Sequence, residues 1–348
     1  MKYWNKKLKK MSEYMPGEQP DDLDTYIKLN TNENPFPPSK AVIEAIKNAA
    51  NDMLRRYPNP TIMSVREAFA RENRFTADNV FVSNGSDELF SLIFRCFVEP
   101  TSTAAFAYPS YSLYYTMAEA NGVKYEKIPM DERFNVDLKA FLEKEYDLAI
   151  LCNPNNPTGT GLERSRVEAF ISEYRGLLVI DEAYVDFYGE TLIDLVREHD
   201  NVIVTRSFSK SYSLAGLRVG LAIAHPGLIR GLVKMKDSYN VDRLAEAGAL
   251  AALADKKTFR YNIEMMRNNK EYLEERLEAL GFEIVPSKAN FILVRHPDMS
   301  AADLYGQLKE RKILVRYFSS PVISEYVRIT VGTMLEIKAL VRELSAIL

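Results

Sequence analysis

Residues 146–181, YDLAILCNPNNPTGTGLERSRVEAFISEYRGLLVID, contain two apolar runs separated by a longer amphipathic segment. The runs LAILC (148–152) and LLVI (177–180) have no break of polar residues, which is typical of parallel strands covered on both faces. The segment LERSRVEAFISEY between them has the length and pattern of a helix. A strand, a helix and a second strand in this order predict an α/β fold with a parallel sheet.

The same alternation extends in both directions along the chain. Strand-like runs occur at NVFVS (79–83), AAFAY (104–108), NVIVT (201–205) and VGLAIA (219–224), and helical patterns follow the first two. After about residue 240, long helical patterns and then short strands replace this alternation. The change predicts a second, smaller unit of the α+β class.

These patterns predict an α/β protein in three parts. The large domain, with a mostly parallel sheet flanked by helices, is expected at 51–245. A smaller α+β domain is expected at 29–50 and 246–348, and an N-terminal arm at 1–28.

Composition excludes several classes of protein. The 45 basic and 48 acidic residues are mixed along 348 positions, so no basic face for nucleic acid or a membrane is expected. Neither a signal segment nor about 18 consecutive apolar residues occurs, and we expect a cytoplasmic protein. Cys96 and Cys152 lie in apolar segments and the three histidines stand far apart. These spacings predict neither a disulfide framework nor a metal site.

Lys210 follows the run NVIVT by five residues, within RSFSKSYSLAGLRVG (206–220). Ligands of open α/β sheets bind beyond the carboxyl ends of the strands. A lysine desolvated there has a lowered pKa and a nucleophilic amine that can form a Schiff base. By itself the pattern also fits a solvated surface lysine.

Asp181 ends an apolar strand in LLVIDEAYVDF, and Tyr184 lies three residues further on. A carboxylate at a buried strand end needs a cation or a proton donor. A protonated pyridine nitrogen would satisfy that need, and the phenol would reach a neighbouring ring oxygen. A metal ligand or a helix cap remains an alternative for Asp181.

Two further segments mark strand ends. NPNNPTG (153–159) has the prolines of a turn, and Asn156 is an uncharged donor within reach of a ligand. In SNGSDEL (83–89), Gly85 and Ser86 open a predicted helix whose N–H groups would hold a phosphate or would simply be capped. The chain has no G-x-G-x-x-G and no Walker motif, which argues against a nucleotide-binding enzyme.

Taken together, these segments resemble, in order and spacing, the fold-type I pyridoxal-phosphate enzymes of the aspartate aminotransferase superfamily. The resemblance runs from about Tyr14 to the C-terminus and is greatest to the histidinol-phosphate aminotransferase branch. Its motifs here are LNTNENPFPPS, RYPNP, GSDEL, NPNNPTG, DEAYVDF, RSFSKSYSLAGLRVG and VRITVGT.

The resemblance implies a cofactor, pyridoxal 5'-phosphate, and roles for the residues that carry the chemistry. Lys210 is similar to the lysine that bonds to the cofactor and then carries a proton, and Asp181 to the carboxylate that keeps the pyridine nitrogen protonated. Tyr184 and Asn156 resemble the pair that hydrogen-bonds the ring hydroxyl. Tyr111 stands where the family has an aromatic ring stacked on the pyridine.

The resemblance also implies how phosphate and substrate are held. The phosphate would lie against the helix start, two serines and an arginine: Gly85, Ser86, Asp87, Ser207, Ser209 and Arg218. Tyr57 resembles a tyrosine that reaches the phosphate of the neighbouring subunit, which implies a homodimer. Arg328 is similar to the arginine that binds the substrate carboxylate, although a surface ion pair would also explain it. Arg316 and Tyr14 resemble residues that close the far end of the substrate pocket.

The activity implied is transamination between L-histidinol phosphate and 2-oxoglutarate, both small molecules. An aromatic aminotransferase or a threonine-phosphate decarboxylase on the same scaffold would share these motifs. A module that only binds the cofactor would not need the proton carrier Lys210.

Overall fold

The structure, a computed structural model, describes residues 2–5, 7–9, 11 and 16–348. The strands in this part of the chain are β1 (Ile27–Lys28), β2 (Val80–Asn84), β3 (Thr103–Tyr108), β4 (Lys124–Pro129), β5 (Leu148–Cys152), β6 (Leu177–Asp181), β7 (Val202–Ser207), β8 (Val219–Ala224), β9 (Glu283–Val285), β10 (Phe291–Arg295), β11 (Ile313–Leu314), β12 (Arg316–Tyr317) and β13 (Val327–Thr330).

The α-helices of the same residues are α1 (Lys40–Ala49), α2 (Met63–Glu72), α3 (Gly85–Phe97), α4 (Leu113–Asn121), α5 (Arg164–Glu173), α6 (Val185–Tyr188), α7 (Pro226–Met235), α8 (Arg243–Ala254), α9 (Lys256–Ala279), α10 (Ala301–Glu310) and α11 (Met334–Ile347). Short 3₁₀ helices occupy Leu23–Thr25, Asp52–Arg55, Ala77–Asn79, Ala140–Leu142, Ile193–Arg197 and Ala215–Leu217. None of the helices in the described residues is long and apolar enough to cross a membrane.

A seven-stranded sheet forms the centre of the fold, with strand order β2-β8-β7-β6-β5-β3-β4. Its neighbouring strands pair in parallel except around β8, which is antiparallel to both β2 and β7. The middle strands β5 and β6 are apolar along nearly their whole length because helices cover both faces. The predicted α/β class with a mostly parallel sheet is confirmed.

Two smaller sheets lie outside the seven-stranded sheet. One is antiparallel with the order β12-β13-β10-β9, and in the other β1 pairs in parallel with β11. Helix α9 precedes β9, and Gly281 after it adopts the left-handed conformation, φ +85°, that is typical of a glycine ending a helix. The N-terminal strand thus joins the C-terminal part of the chain.

The packing of α1 and α8 departs from the predicted domain boundaries at 50 and 246. Val42 of α1 and Ala249 of α8 are buried in the core of the seven-stranded sheet, not in the core of the small sheets. The helices touch closely, since a Cβ on Gly248 would lie 3.2 Å from Ile46. An amphipathic pattern predicts that one face of a helix is buried, but it does not indicate which sheet buries it.

Candidate active site

A cavity of about 760 Å³ opens at the carboxyl ends of β5, β6 and β7. Because these parallel strands end at the same edge, residues distant in sequence line one space. The predicted site residues on its wall are Ser86, Asp87, Tyr111, Asn156, Asp181, Tyr184, Ser207, Ser209, Lys210, Arg218, Arg316 and Arg328. The structure therefore brings together most of the side chains that the sequence indicated.

Lys210 lies in the loop after β7 and projects into this cavity. Its Nζ donates to the main-chain oxygen of Thr31 at 3.1 Å and lies 5.7 Å from the centre of the Tyr184 ring. Burial and, after it, the positive charge of Arg328 together lower the pKa of the amine to about 8. At pH 7 about one amine in ten would then be neutral, so a solvated surface lysine does not describe this residue.

Asp181 is 3 % exposed at the end of β6. Its Oδ2 accepts from the Tyr114 hydroxyl at 2.6 Å, and its Oδ1 accepts from Thr205 Oγ1 at 2.9 Å and from the Ala183 N–H at 3.1 Å. Burial raises the pKa of the carboxyl, and these hydrogen bonds oppose that rise. A cation facing the carboxylate would complete its stabilisation.

Tyr184 and Asn156 line the cavity from the segments that follow β6 and β5. The Tyr184 oxygen accepts from Asn32 Nδ2 at 3.0 Å, and burial raises the pKa of its phenol. Asn156 Oδ1 accepts from Arg328, which leaves the amide nitrogen of Asn156 as a donor toward the cavity. Both side chains can therefore donate to a ligand oxygen.

Gly85 begins α3 with φ +74°, a conformation that favours glycine. A Cβ at this position would lie 2.6 Å from Nη2 of Arg218, so only glycine lets the guanidinium approach the helix start. Arg218 also pairs with Asp87 at 3.0 Å and contacts Ser209 Oγ at 3.5 Å. Helix N–H groups, hydroxyls and a guanidinium converge here, a donor set that fits a phosphate ester.

Tyr111 stands edge-on against Tyr114, with ring centres 5.5 Å apart at 87°. Its hydroxyl lies 3.4 Å from Asp87 Oδ1, and it lines the cavity. An aromatic wall is thus present beside Asp181, on which a flat ring can stack.

Arg316 and Arg328 lie opposite each other on the paired strands β12 and β13. Arg328 is 6 % exposed and donates to Asn156 and to the Asn30 carbonyl at 2.8 Å, so it is a buried residue of the cavity wall and not a surface residue. Arg316 donates to the Pro16 carbonyl at 2.9 Å. Together they place two guanidinium groups on the wall of the cavity.

The sequence over residues 24–344 matches the model of the family described as aminotransferase class I and II. The chain belongs to this family. It is 44 % identical to a histidinol-phosphate aminotransferase of Syntrophotalea carbinolica, over 96 % of both chains. A protein of the same name from Citrifermentans bemidjiense is 42 % identical, over 97 % of this chain and 96 % of the relative.

Solved structures share the fold of this aminotransferase. The histidinol-phosphate aminotransferase of Sinorhizobium meliloti, solved with pyridoxal-5'-phosphate, has a TM-score of 0.91 at 24 % identity. The match covers 100 % of this chain and 99 % of the chain of that structure. An aspartate aminotransferase double mutant of Thermus thermophilus has a TM-score of 0.86 at 21 % identity, over 100 % of both chains. The predicted fold-type I architecture is confirmed.

Of the predicted site residues that the structure describes, Gly85 and Tyr57 do not line the cavity, and Gly85 lies at the start of α3 beside Arg218. Tyr57 is 77 % exposed and stacks on Tyr239, with ring centres 4.4 Å apart. Tyr14 lies outside the described residues. The roles of Tyr57 and Tyr14 stay predictions.

Several contacts of the aminotransferase site were not predicted from the sequence. Tyr114 and Thr205 hold Asp181, Thr31 accepts from Lys210, and Asn32 donates to Tyr184. The motif LNTNENP contains two of these residues, but its pattern indicates no partner for them. Tyr114 comes three residues after Tyr111, and residues three apart in a helical pattern lie on the same side of the helix. This spacing is the one local signal that would place Tyr114 near the cavity with Tyr111.

Proposed function

We propose that this aminotransferase transfers an amino group between L-histidinol phosphate and 2-oxoglutarate, with imidazole acetol phosphate and glutamate as products, and that it uses pyridoxal 5'-phosphate. The observation that carries the proposal is the joint placement of the Lys210 amine and the Asp181 carboxylate on a cavity with two arginines. Relatives that bear the name histidinol-phosphate aminotransferase, 44 % and 42 % identical over nearly the full length, support the substrate.

The residues present fit the cofactor at each of its functional groups. Asp181 would face the pyridine nitrogen, Tyr111 the ring, and Asn156 and Tyr184 the ring oxygen. The phosphate would be held by the residues at the start of α3 and around Arg218: Gly85, Ser86, Ser207, Ser209 and Arg218. When bound, the protonated pyridine ring withdraws electrons and so stabilises negative charge on the substrate α-carbon.

Lys210 is the proton carrier in this proposal. Its Nζ accepts the proton from the substrate α-carbon, which requires a neutral amine. Burial and the nearby charge of Arg328 lower the pKa of Lys210 to about 8 and thereby favour that form near neutral pH. The carbonyl of Thr31, 3.1 Å from Nζ, orients the amine without adding a charge.

Arg328 and Arg316 would bind the anionic groups of both substrates. Histidinol phosphate has a phosphate and no carboxylate, whereas glutamate has two carboxylates. A guanidinium binds either group with two parallel hydrogen bonds, so the same pair of arginines can serve both half-reactions. Arg328 is fixed by Asn156 and Asn30, which reduces the entropy lost on binding.

The half-reactions test the substrate directly. The cofactor-loaded protein is mixed separately with histidinol phosphate, phenylalanine, tyrosine and threonine phosphate, and the cofactor absorbance and released carbon dioxide are followed. We expect the fastest conversion with histidinol phosphate and no carbon dioxide from any of the four. Faster conversion of an aromatic amino acid, or carbon dioxide from threonine phosphate, would overturn the proposal.

The proposal includes a homodimer in which Tyr57 reaches the phosphate site of the neighbouring subunit. Met53, Leu54 and Tyr57 are 41 %, 56 % and 77 % exposed, and large apolar side chains exposed in this way are of the kind that subunit contacts cover. The exposure of Tyr57 within one chain is consistent with a function outside that chain. The cytoplasmic location stays a prediction.

Hybrid dimers test the shared site. Tyr57→Phe is expected to weaken cofactor affinity roughly tenfold, because one hydrogen bond to a charged group is lost. Mixing Tyr57→Phe chains with Lys210→Ala chains creates, in each hybrid, one site that has both an intact Lys210 and an intact Tyr57 from the other chain. Borohydride fixes the cofactor only where Lys210 is present, so the fixed cofactor reports that site alone, and its titration should show wild-type affinity. If the cofactor fixed on Lys210 shows the weakened affinity, Tyr57 does not act across the interface.

A further inference from the structure

Asn32 lies in the segment between β1 and α1 and is 1 % exposed. It adopts the left-handed conformation with φ +56°, which asparagine tolerates better than most residues. Its side chain lies between Thr330 on β13 and Tyr184 after β6, two residues far from it in sequence. Asn32 thus connects the wall of the cavity, at Tyr184, to the antiparallel sheet, at Thr330.

The direction of the hydrogen bonds around Asn32 follows from donor chemistry. The main-chain N–H of Asn32 can only donate, and it donates to Thr330 Oγ1 at 3.0 Å. The Thr330 hydroxyl must then use its own hydrogen elsewhere, and it donates to Asn32 Oδ1 at 3.1 Å. The amide group is thereby oriented, and Nδ2 is the atom that faces the Tyr184 oxygen at 3.0 Å.

This orientation decides the role of the Tyr184 hydroxyl. Its oxygen accepts from Asn32, so its single hydrogen cannot be directed back along the same contact. Within the described residues, no protein acceptor takes that hydrogen, and Tyr184 lines the cavity. The hydrogen is therefore available to a ligand oxygen in the cavity.

The surrounding packing holds this arrangement in place. The amide nitrogen of Asn290 donates to the Asn32 carbonyl at 3.0 Å, and Asn290 is 1 % exposed. The Tyr184 ring packs edge-on against Phe291, with ring centres 5.1 Å apart. Asn290, directly before β10, thus holds Asn32 in place, and Phe291, the first residue of β10, holds Tyr184 in place.

We propose that Asn32 is a positioning residue that, oriented by Thr330, makes the Tyr184 hydroxyl a hydrogen-bond donor to the ring oxygen of the cofactor. This inference rests on the proposed function, because it requires pyridoxal phosphate in the cavity. A donor to that oxygen favours its ionised form, and so lowers the pH at which the bound cofactor changes colour.

The test is a pH titration of the absorbance of the cofactor-loaded protein and its variants. Its readout is the midpoint, the pH at which half of the absorbance change has occurred. Tyr184→Phe removes the donor and should raise this midpoint by roughly one pH unit. Asn32→Gly keeps the positive φ and adds no charge, and it should raise the midpoint in the same direction by roughly half a unit or more. Thr330→Val leaves the Asn32 side chain in place and should give a smaller rise.

The double variant Asn32→Gly with Tyr184→Phe separates an effect through Tyr184 from any other. Its midpoint should equal that of Tyr184→Phe alone, since Asn32 acts only through the phenol. If Asn32→Gly shifts the midpoint equally in the wild type and in Tyr184→Phe, the inference is wrong. It is also wrong if neither Asn32→Gly nor Thr330→Val shifts the midpoint. If Tyr184→Phe alone shifts nothing while cofactor still binds, this inference fails and the proposed reaction stands. If the wild-type chain does not bind pyridoxal phosphate, both this inference and the proposed function are wrong.

Discussion

Replacement of Lys210 by alanine is expected to lower the rate of cofactor conversion by substrate on the order of 10⁴-fold, the upper end of what a positioned acid-base group contributes. The amine is the group on the cavity wall with a pKa of about 8, and alanine has nothing to accept a proton. Affinity for pyridoxal phosphate should persist, because Asp181, Tyr111 and Arg218 line the same cavity. Single-turnover absorbance measurements give the rate, and dialysis gives the affinity.

Two controls distinguish loss of the proton carrier from loss of charge or of the fold. Lys210→Arg retains a cation that does not deprotonate, so it should be as slow as the alanine variant. A small primary amine added to Lys210→Ala should restore part of the rate. Near-normal conversion by either variant without added amine would contradict the assignment.

The stability of the cofactor-free protein gives an independent check on the environment of Lys210. The pKa of its amine is lowered from 10.5 to about 8 in the folded chain, so the unfolded chain binds more protons between these values. The free energy of unfolding of the wild type should therefore rise as the pH increases through this interval. Lys210→Ala should lack this part of the rise and should not be less stable at pH 7.

Asp181→Asn is expected to reduce the rate of cofactor conversion by roughly 10³-fold, as for removal of a buried group that stabilises developing charge. The asparagine fits the site: its oxygen can face Thr205 and the Ala183 N–H, and its amide can face Tyr114. Only the negative charge toward the cavity is lost. Single-turnover kinetics measure the rate, and unchanged melting of the cofactor-free protein would confirm that the fold is intact.

Tyr114→Phe is the matched control for the carboxylate. It removes the 2.6 Å hydrogen bond but leaves the charge, and the loss of that donor should raise the pKa of Asp181 further. We expect a rate much closer to wild type than that of Asp181→Asn. A rate for Asp181→Asn within a few-fold of wild type would show that the carboxylate does not hold a charge that the reaction needs.

Most of the fold could be predicted from local patterns. Unbroken apolar runs such as LAILC and LLVI indicate strands covered on both faces, and they correspond to β5 and β6. β4 was not predicted: it lies at the edge of the sheet, and its residues KYEKIP include three charged side chains and do not alternate regularly between charged and apolar residues. An edge strand exposes one side to water, so its composition resembles that of a loop.

The sequence predicted those residues of the candidate site that lie at strand ends or that the family resemblance marks. Asp181, Asn156 and Lys210 follow apolar runs, and their common edge follows from parallel strands. Arg328 on β13 and Arg316 on β12 belong to another sheet, and their place beside the same cavity depends on how the two sheets pack.

The sequence by itself determined the α/β class, the mostly parallel sheet and the strand ends that carry Lys210 and Asp181, because hydrophobic period and turn residues act over a few neighbouring positions. Only the tertiary structure decided that Asn32 orients Tyr184, that Tyr114 and Thr205 hold Asp181, and that α1 packs with the large sheet. Asn32 and Tyr184 are 152 positions apart, and Asn32 and Thr330 are 298 apart. Hydrogen bonds over such separations depend on the final packing of two sheets, and no local pattern of residue types records them.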